Sequence, residues 1–383
     1  MINIVHKVYC CGCEACVNSC PQRCITMVED SEGFLYPMIE IEKCLDCGAC
    51  ERSCPVLKQE EQRRPLLVAA TFNSNLPIRM CSSSGGVFSQ LAESVINNHG
   101  VVFGASFDSR WNVHHVFVET IEDISRLRGS KYVQSRIGDS YQKVKFFLKE
   151  NRQVLFSGTP CQIAGLKRFL GREYDNLLTV DVACHGIPSP KIWNLYLSEL
   201  ANRLLPDSVV TSVNFRDKSK GWKSYYMQVS LETSSEKKCY SVPFYEDWYM
   251  KAFLKNLILR PSCANCPARC GKSGSDMTIA DFWGIESMCP DLDDDKGTSV
   301  VLINSPKGEV CFRMLHNCYN EVDYSAICRF NPCFVQSFSP HLFRRVFFKK
   351  VNASMSVTGL MKLALSNSLP QRIKRKIMLF IHK

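Results

Sequence analysis

A duplicated cysteine pattern constrains this chain more than any other feature. Cys10, Cys13, Cys16, Cys20 and Pro21 recur as Cys44, Cys47, Cys50, Cys54 and Pro55, each displaced by 34 residues. A fixed displacement of this kind marks one structural unit used twice. The whole chain holds 22 cysteines in 383 residues. That is too dilute for a small disulfide scaffold and too dense for an ordinary cytosolic enzyme. The opening MINIVHKVYCCGC lacks the apolar core of a secretion signal. The expected compartment is therefore the cytoplasm, where disulfides do not persist. Metal or redox chemistry is what so many thiols then point to.

The spacing narrows that chemistry. C-x2-C-x2-C-x3-C-P is the run that holds iron–sulfur cubes in bacterial two-cluster proteins, its fourth cysteine reaching across to the other cluster. On that rule Cys10, Cys13, Cys16 and Cys54 hold one 4Fe–4S cluster. Cys44, Cys47, Cys50 and Cys20 hold the second. Zinc is the alternative, but it takes four ligands, usually from two separated pairs. It gives no reason for duplicated triplets followed by Cys-Pro. Cys11 and Cys24 fall off the pattern; Cys24 suits a small core filler and Cys11 has no assignment. Residues 1–56 resemble the two-cluster bacterial ferredoxin domain, which implies electron transfer and leaves open what the electrons feed.

Composition changes after the repeat. Residues 57–65, LKQEEQRRP, read as a polar linker ending in proline. Beyond it, apolar runs at 67–72, 101–107, 115–118, 153–156 and 177–182 alternate with helical periodicity at 87–97, 140–149 and 163–170. That alternation predicts a mixed α/β (α+β) domain, with antiparallel strands within 209–243 and a buried strand at 298–303. The expected organisation is a ferredoxin domain at 1–62 and a larger mixed α/β domain at 66–340. The larger domain divides into parts at about 66–150 and 151–340, and a basic tail follows at 341–383. The tail carries ten Lys/Arg and no acid, while the rest of the chain balances 37 against 37. A nucleic-acid protein spreads its cations over a folded surface, so no nucleic-acid partner is expected. Ile373, Ile377, Phe380 and Ile381 fall at helical spacing among basic residues. This fits peripheral membrane contact or a terminal helix lying on the protein's own core. No run of 18 apolar residues predicts a membrane span.

A second cysteine set is scattered. Cys161 in SGTPCQIAGL and Cys184 in VACHGIPSP each follow an expected strand, and Cys263 and Cys266 sit in PSCANCPARC. Ends of adjacent strands converge on one sheet edge, where sites form. Four cysteines from three loops could close a third cluster, with Cys270 a competing ligand and plain core cysteines the alternative.

Residues 66–340 resemble the beta subunit of the coenzyme F420-reducing hydrogenase and dehydrogenase family. The resemblance rests on SSGGVFSQL (83–91), RGSKYVQS (128–135), SGTPCQ (157–162), ACHG (183–186), CANC (263–266) and SDMTIADFWG (275–284). It implies a mixed α/β domain with one 4Fe–4S cluster beside FAD, and carries the cluster ligands onto Cys161, Cys184, Cys263 and Cys266. The family also includes reductases whose substrates are not deazaflavins. The implied activity is therefore electron passage between clusters and FAD and a two-electron acceptor or donor, deazaflavin-like or another small molecule. The redox partner would be a ferredoxin or a redox subunit. The alternative is a non-catalytic electron-transfer subunit; bacterial relatives of this fused form often accompany surface-polysaccharide synthesis.

For the flavin, Ser84, Gly85 and Gly86 precede an expected helix, where free N–H groups suit a phosphate; a plain helix cap is the alternative. Arg128 and Lys131 are cations able to stabilise a reduced flavin, or else solvated loop charges. Tyr132 could stack on the ring, and Thr159 could present a backbone donor to flavin or cluster. No G-x-G-x-x-G fingerprint is present, so a Rossmann dinucleotide site is not expected. His185 is read as orienting its neighbour Cys184 rather than as a catalytic group.

Overall fold

The computed structural model describes residues 2, 6–353 and 355–366. Strands β1 (Ile25–Glu29) and β2 (Leu35–Ile39) pair as an antiparallel hairpin between the two cysteine runs. Each run ends in a short helix, Ala15–Ser19 or Ala49–Arg52. The repeat extends to the backbone. Gly12 and its counterpart Asp46 have φ of 69° and 48°, and Glu14 and Gly48 have 59° and 68°. These left-handed residues curl the chain between successive cysteines; two of the four are non-glycine, where such a conformation is uncommon.

The remaining strands, in chain order, are β3 (Leu67–Thr71), β4 (Val101–Phe107), β5 (Val113–Val118), β6 (Val154–Gly158), β7 (Leu177–Val182), β8 (Val209–Asp217), β9 (Tyr226–Glu232), β10 (Lys237–Pro243), β11 (Met277–Asp281), β12 (Ser299–Ile303) and β13 (Tyr319–Glu321). Eight form one sheet in the order β13-β3-β12-β11-β7-β6-β4-β5. Its centre, β11, β7, β6 and β4, is parallel, and the outer pairs are antiparallel. Central strands such as β6 and β12 are buried on both faces, which explains their unbroken Val/Leu/Ile runs. The antiparallel sheet β10-β9-β8 stands apart, with alternate residues Met227, Val229 and Leu231 buried.

Most elements begin and end within two residues of the sequence expectation. The helix expected from Ile163 starts earlier, at Pro160. Thr159 and Gln162 form a capping box there, and proline suits the first helical position. Strand β11 lies in a block that reads from sequence only as a motif, because Asp276 and Asp281 bracket it and mask its apolar character. Helix Pro190–Leu204 has no counterpart among the expected elements; its apolar residues Ile192, Trp193, Tyr196, Leu197 and Leu200 are spaced at three and four and are buried.

The start of the basic C-terminal segment forms helices Arg344–Val351 and Val357–Leu365. Phe347, Phe348, Val351, Leu360 and Met361 pack into one core with Trp193, Tyr249 and Phe253. The pattern Ile373–Ile381 lies outside the described residues. Among those described, no helix is long and apolar enough to cross a membrane.

Candidate functional site

The eight N-terminal pattern cysteines sort into two cavities as their spacing requires. One, of about 340 Å³, is lined by Cys10, Cys13, Cys16 and Cys54 together with Cys11. The other, of about 350 Å³, is lined by Cys20, Cys44, Cys47 and Cys50 together with Cys24. The crossed arrangement is therefore visible: each cavity takes three thiols from one run and the Cys-Pro thiol from the other. Backbone N–H groups already point at sulfur, Ile2 to Cys50 at 3.3 Å and Asp46 to Cys44 at 3.4 Å. Such N–H···S contacts tune a bound cluster's potential.

The scattered set converges as well. Cys161 opens the helix after β6, and Cys184 follows β7, the adjacent parallel strand. Cys263 and Cys266 come from the turn after Arg260. All four line a third cavity of about 770 Å³, together with Cys11, Cys270 and Cys333. Cys270 donates instead to the Val335 carbonyl at 3.5 Å. The Ile187 N–H donates to the Cys263 sulfur at 3.3 Å. Burial holds these thiols protonated: Cys184 well above the usual thiol range, Cys263 at about 12 and Cys266 at about 11. Burial does the same to Cys16, at about 12. A bound metal centre displaces those protons and gives the buried sulfurs their charge partner. None of the 22 cysteines is bridged. Among the described residues, no three His, Cys, Asp or Glu side chains gather as a single-ion site. The thiols face one another across cavities, and soft thiolates around a cavity are the donor set of an iron–sulfur cube.

Cys11, unassigned by spacing, lines both the first and the third cavity. Its thiol interacts with Cys13 on one side and Cys161 on the other, and it is pushed well above the usual thiol range. The N-terminal unit is held at this contact by buried groups. The Glu14 carboxylate accepts from the Ile137 and Gly138 N–H groups at 2.9 and 3.0 Å. Asn18 Nδ2 donates to the Gly138 carbonyl at 2.9 Å. Arg260, only 1% exposed, donates to the carbonyls of Cys10 and Leu35 at 2.8 Å and to Gln134 at 3.0 Å. Its guanidinium reaches the Cys10 sulfur at 3.6 Å. Close approach is also written into glycine. A Cβ on Gly165 would meet Cys13 at 3.0 Å, and one on Gly12 would meet Arg260 at 2.8 Å.

The residues named for a flavin are less uniform. The 82–86 loop and the 128–132 loop meet, since Ser130 N–H donates to Ser83 Oγ at 2.6 Å. Gly86 takes φ 86° at the start of helix Val87–Asn97. The Gly85 N–H is used on Ser299 Oγ at 3.0 Å, and Ser84 Oγ donates to the Thr298 carbonyl at 2.9 Å. Lys131 Nζ donates to the carbonyls of Leu127, Arg128 and Gly129, and burial lowers it to about 7. Arg128 donates to Ser89 Oγ at 2.9 Å. Tyr132 stacks on Phe253, with ring centroids 4.8 Å apart. Thr159 falls with the thiols, its Oγ1 3.3 Å from the Cys161 sulfur. His185 bonds Asn256 at 2.7 Å and packs on Phe338.

Three buried groups had no sequence signal. Arg216 pairs with Asp281 at 2.8 Å and leaves Nε without a partner; Asn73 Nδ2 is likewise unpartnered. Asn73 lies 3.1 Å from where a Cβ on Gly86 would stand, and Arg216 reaches Tyr132 Oη at 3.4 Å. Both are buried donors without a partner beside these loops. Asp181 lines the third cavity with Oδ1 unpartnered, and burial raises it to about 6.

Two family models match this chain. Residues 151–323 match the C terminus of the coenzyme F420 hydrogenase/dehydrogenase beta subunit, and residues 9–57 match the 4Fe–4S dicluster domain. The chain thus carries a region similar to the C terminus of the coenzyme F420 hydrogenase/dehydrogenase beta subunits behind an N-terminal segment similar to the 4Fe–4S dicluster domain. An F(420)H(2) dehydrogenase subunit of Methanosarcina mazei is 24% identical over 226 residues, 56% of this chain and 61% of that protein. An uncharacterized protein of Methanocaldococcus jannaschii is 25% identical over 199 residues, 44% of this chain and 54% of that one. The match thus spans less than two thirds of either relative. The VorC subunit of the ketoisovalerate oxidoreductase of Methanothermobacter marburgensis is 30% identical over 60 residues, 15% of this chain and 76% of that protein. A chain in a solved structure of the F420-reducing NiFe hydrogenase complex from Methanosarcina barkeri aligns at 16% identity with a TM-score of 0.43. That alignment covers 76% of this chain and 90% of that one.

Proposed function

We propose that this chain is an iron–sulfur oxidoreductase component that carries electrons through three 4Fe–4S clusters in series. The ligands are Cys20, Cys44, Cys47 and Cys50 for the outer cluster and Cys10, Cys13, Cys16 and Cys54 for the middle one. Cys161, Cys184, Cys263 and Cys266 hold the inner one. The observation that carries this reading is Cys11, which walls both the middle and the inner cavity. Arg260 supports it: a buried cation beside Cys10 and close to Cys263 favours the reduced, more negative state of the clusters it faces.

The 82–86 and 128–132 loops, with Asn73 and Arg216, would hold FAD, which would exchange electrons with the inner cluster. Bound there, a flavin supplies the exchange between one-electron and two-electron carriers. The chain's own part is to bind, orient and hold charge. Arg216 is fixed by Asp281 with one donor left over. Tyr132 is braced by Phe253. Lys131 braces the 127–129 turn through its carbonyl contacts rather than reaching outward.

A second reading is a wiring component that turns over only with a partner, and the name of the Methanosarcina mazei relative, a dehydrogenase subunit, favours it. Anaerobic reconstitution with iron, sulfide and flavin, followed by photoreduction, separates the two. The enzyme reading expects stoichiometric FAD and hydride delivery to a small acceptor by the chain alone. Full iron with no flavin affinity contradicts it and leaves the wiring component.

A further inference from the structure

A groove of about 2070 Å³ runs between the N-terminal unit and the sheet-covering helices Ser140–Lys149 and Pro160–Leu170. Nine Lys/Arg and two Glu line it. Both glutamates are already paired, Glu60 with Arg63 and Arg168, and Glu173 with Lys167. Lys58, Lys145 and Lys149 carry no ion pair among the described residues. These cations all precede the basic C-terminal segment in the chain and were not separable in the sequence, because residues 1–340 are formally neutral in sum.

The floor of the groove says what the charge is for. Ser19, Ala49, Ser53 and Pro55 line it, and each is the chain neighbour of a pattern cysteine: Cys20, Cys50 or Cys54. Arg52, also in the lining, donates to the carbonyl of Cys47 at 2.8 Å. Phe146 stands among the cations and is 58% exposed. Cations gathered in one cleft steer a partner of opposite charge into it, and the exposed ring among them offers an apolar contact. A nucleic acid or lipid headgroup has no use for the redox floor beneath them.

We propose that this groove docks an acidic redox protein, which delivers electrons to, or accepts them from, the N-terminal clusters. The inference rests on the electron-transfer reading above and adds to it the entry face and the partner's charge. Each transfer moves one electron from a reduced cluster of the partner to an oxidised cluster here, with no bond made or broken. Electrostatic steering into a charged cleft raises association rates about ten- to a thousand-fold at low ionic strength.

The test uses the reconstituted full-length chain, an acidic two-cluster bacterial ferredoxin as probe donor, and dithionite as a small control donor. Stopped-flow cluster reduction by ferredoxin should fall about tenfold or more in the triple variant Lys58→Glu/Lys145→Glu/Lys149→Glu at low salt. The wild-type rate should fall steeply with added salt, a readout that needs no variant to fold. Reduction by dithionite should be unchanged. Equal ferredoxin rates in wild type and variant overturn the groove while leaving the electron-transfer reading intact. The same holds for a wild type reduced by dithionite but not by ferredoxin, or for binding of anionic lipid vesicles through these same lysines. Clusters that no donor reduces overturn the electron-transfer reading, and the groove with it.

Discussion

The N-terminal thiols and the inner thiols are brought together by opposite means. Each N-terminal run places four cysteines within eleven residues, and left-handed residues at matching positions, 12 with 46 and 14 with 48, bend each run the same way. The local chain specifies that site. The inner set draws on residues from 161 to 266, and no short segment supplies more than two of its four cysteines. It forms only because β6 and β7 are parallel neighbours whose ends meet the turn after Arg260. A locally coded site survives damage to the fold elsewhere, whereas a topologically coded one fails with the sheet.

Several perturbations should pull the two apart. The largest effect is expected from Cys184→Ala with Cys266→Ala. Reduced by dithionite, the variant should lose one of three cluster signals in electron paramagnetic resonance and keep the two N-terminal ones. Loss of all three would mean the sites are not separately coded. Acid should act next. His115 is buried between Ser135 Oγ at 2.7 Å and the Ser157 carbonyl at 3.0 Å, near the end of β6. Burial holds it at about 4. The unfolded chain takes up that proton near 6.5, so the stabilisation is complete above about 6.5. It is lost as pH falls toward 4, about 3 kcal/mol in all. Chemical denaturation from pH 7 to 4 should show this loss, and His115→Gln should remove it. The inner cluster should bleach before the N-terminal pair.

Gly165→Ala should have a smaller effect. Its Cβ would press on Cys13 at 3.0 Å and Tyr141 Oη at 3.1 Å, costing about 1–3 kcal/mol of overpacking. The middle cluster should become more labile to chelators while the outer one does not. The smallest expected change is in Arg260→Gln. Removing a buried positive charge beside Cys10 should lower the midpoint potential of the middle cluster in a redox titration, with iron content unchanged.

The same contrast decides what could be read from the sequence. Strand and helix limits such as 87–97, 101–107 and 140–149 follow from local periodicity and match the structure. The sorting of thiols between the first two cavities was legible for the same reason. Cys11 was not, because its role depends on Cys161, 150 positions away. Arg260, Arg216 and Asn73 were not legible either: a buried cation or amide looks like any other until its neighbours are known. Lys131 shows the reverse contrast. A cation in a motif invites a ligand, yet here it satisfies three carbonyls of its own turn.

Sulfurs from distant loops are proposed to close a third cube next to the N-terminal pair. Iron and sulfide counting on the anaerobically reconstituted chain, with Mössbauer spectra of the same sample, tests it most directly. Three cubes require about twelve iron per chain, all in cubane environments. About eight iron, unaltered when Cys161 and Cys263 are replaced by alanine, would contradict it.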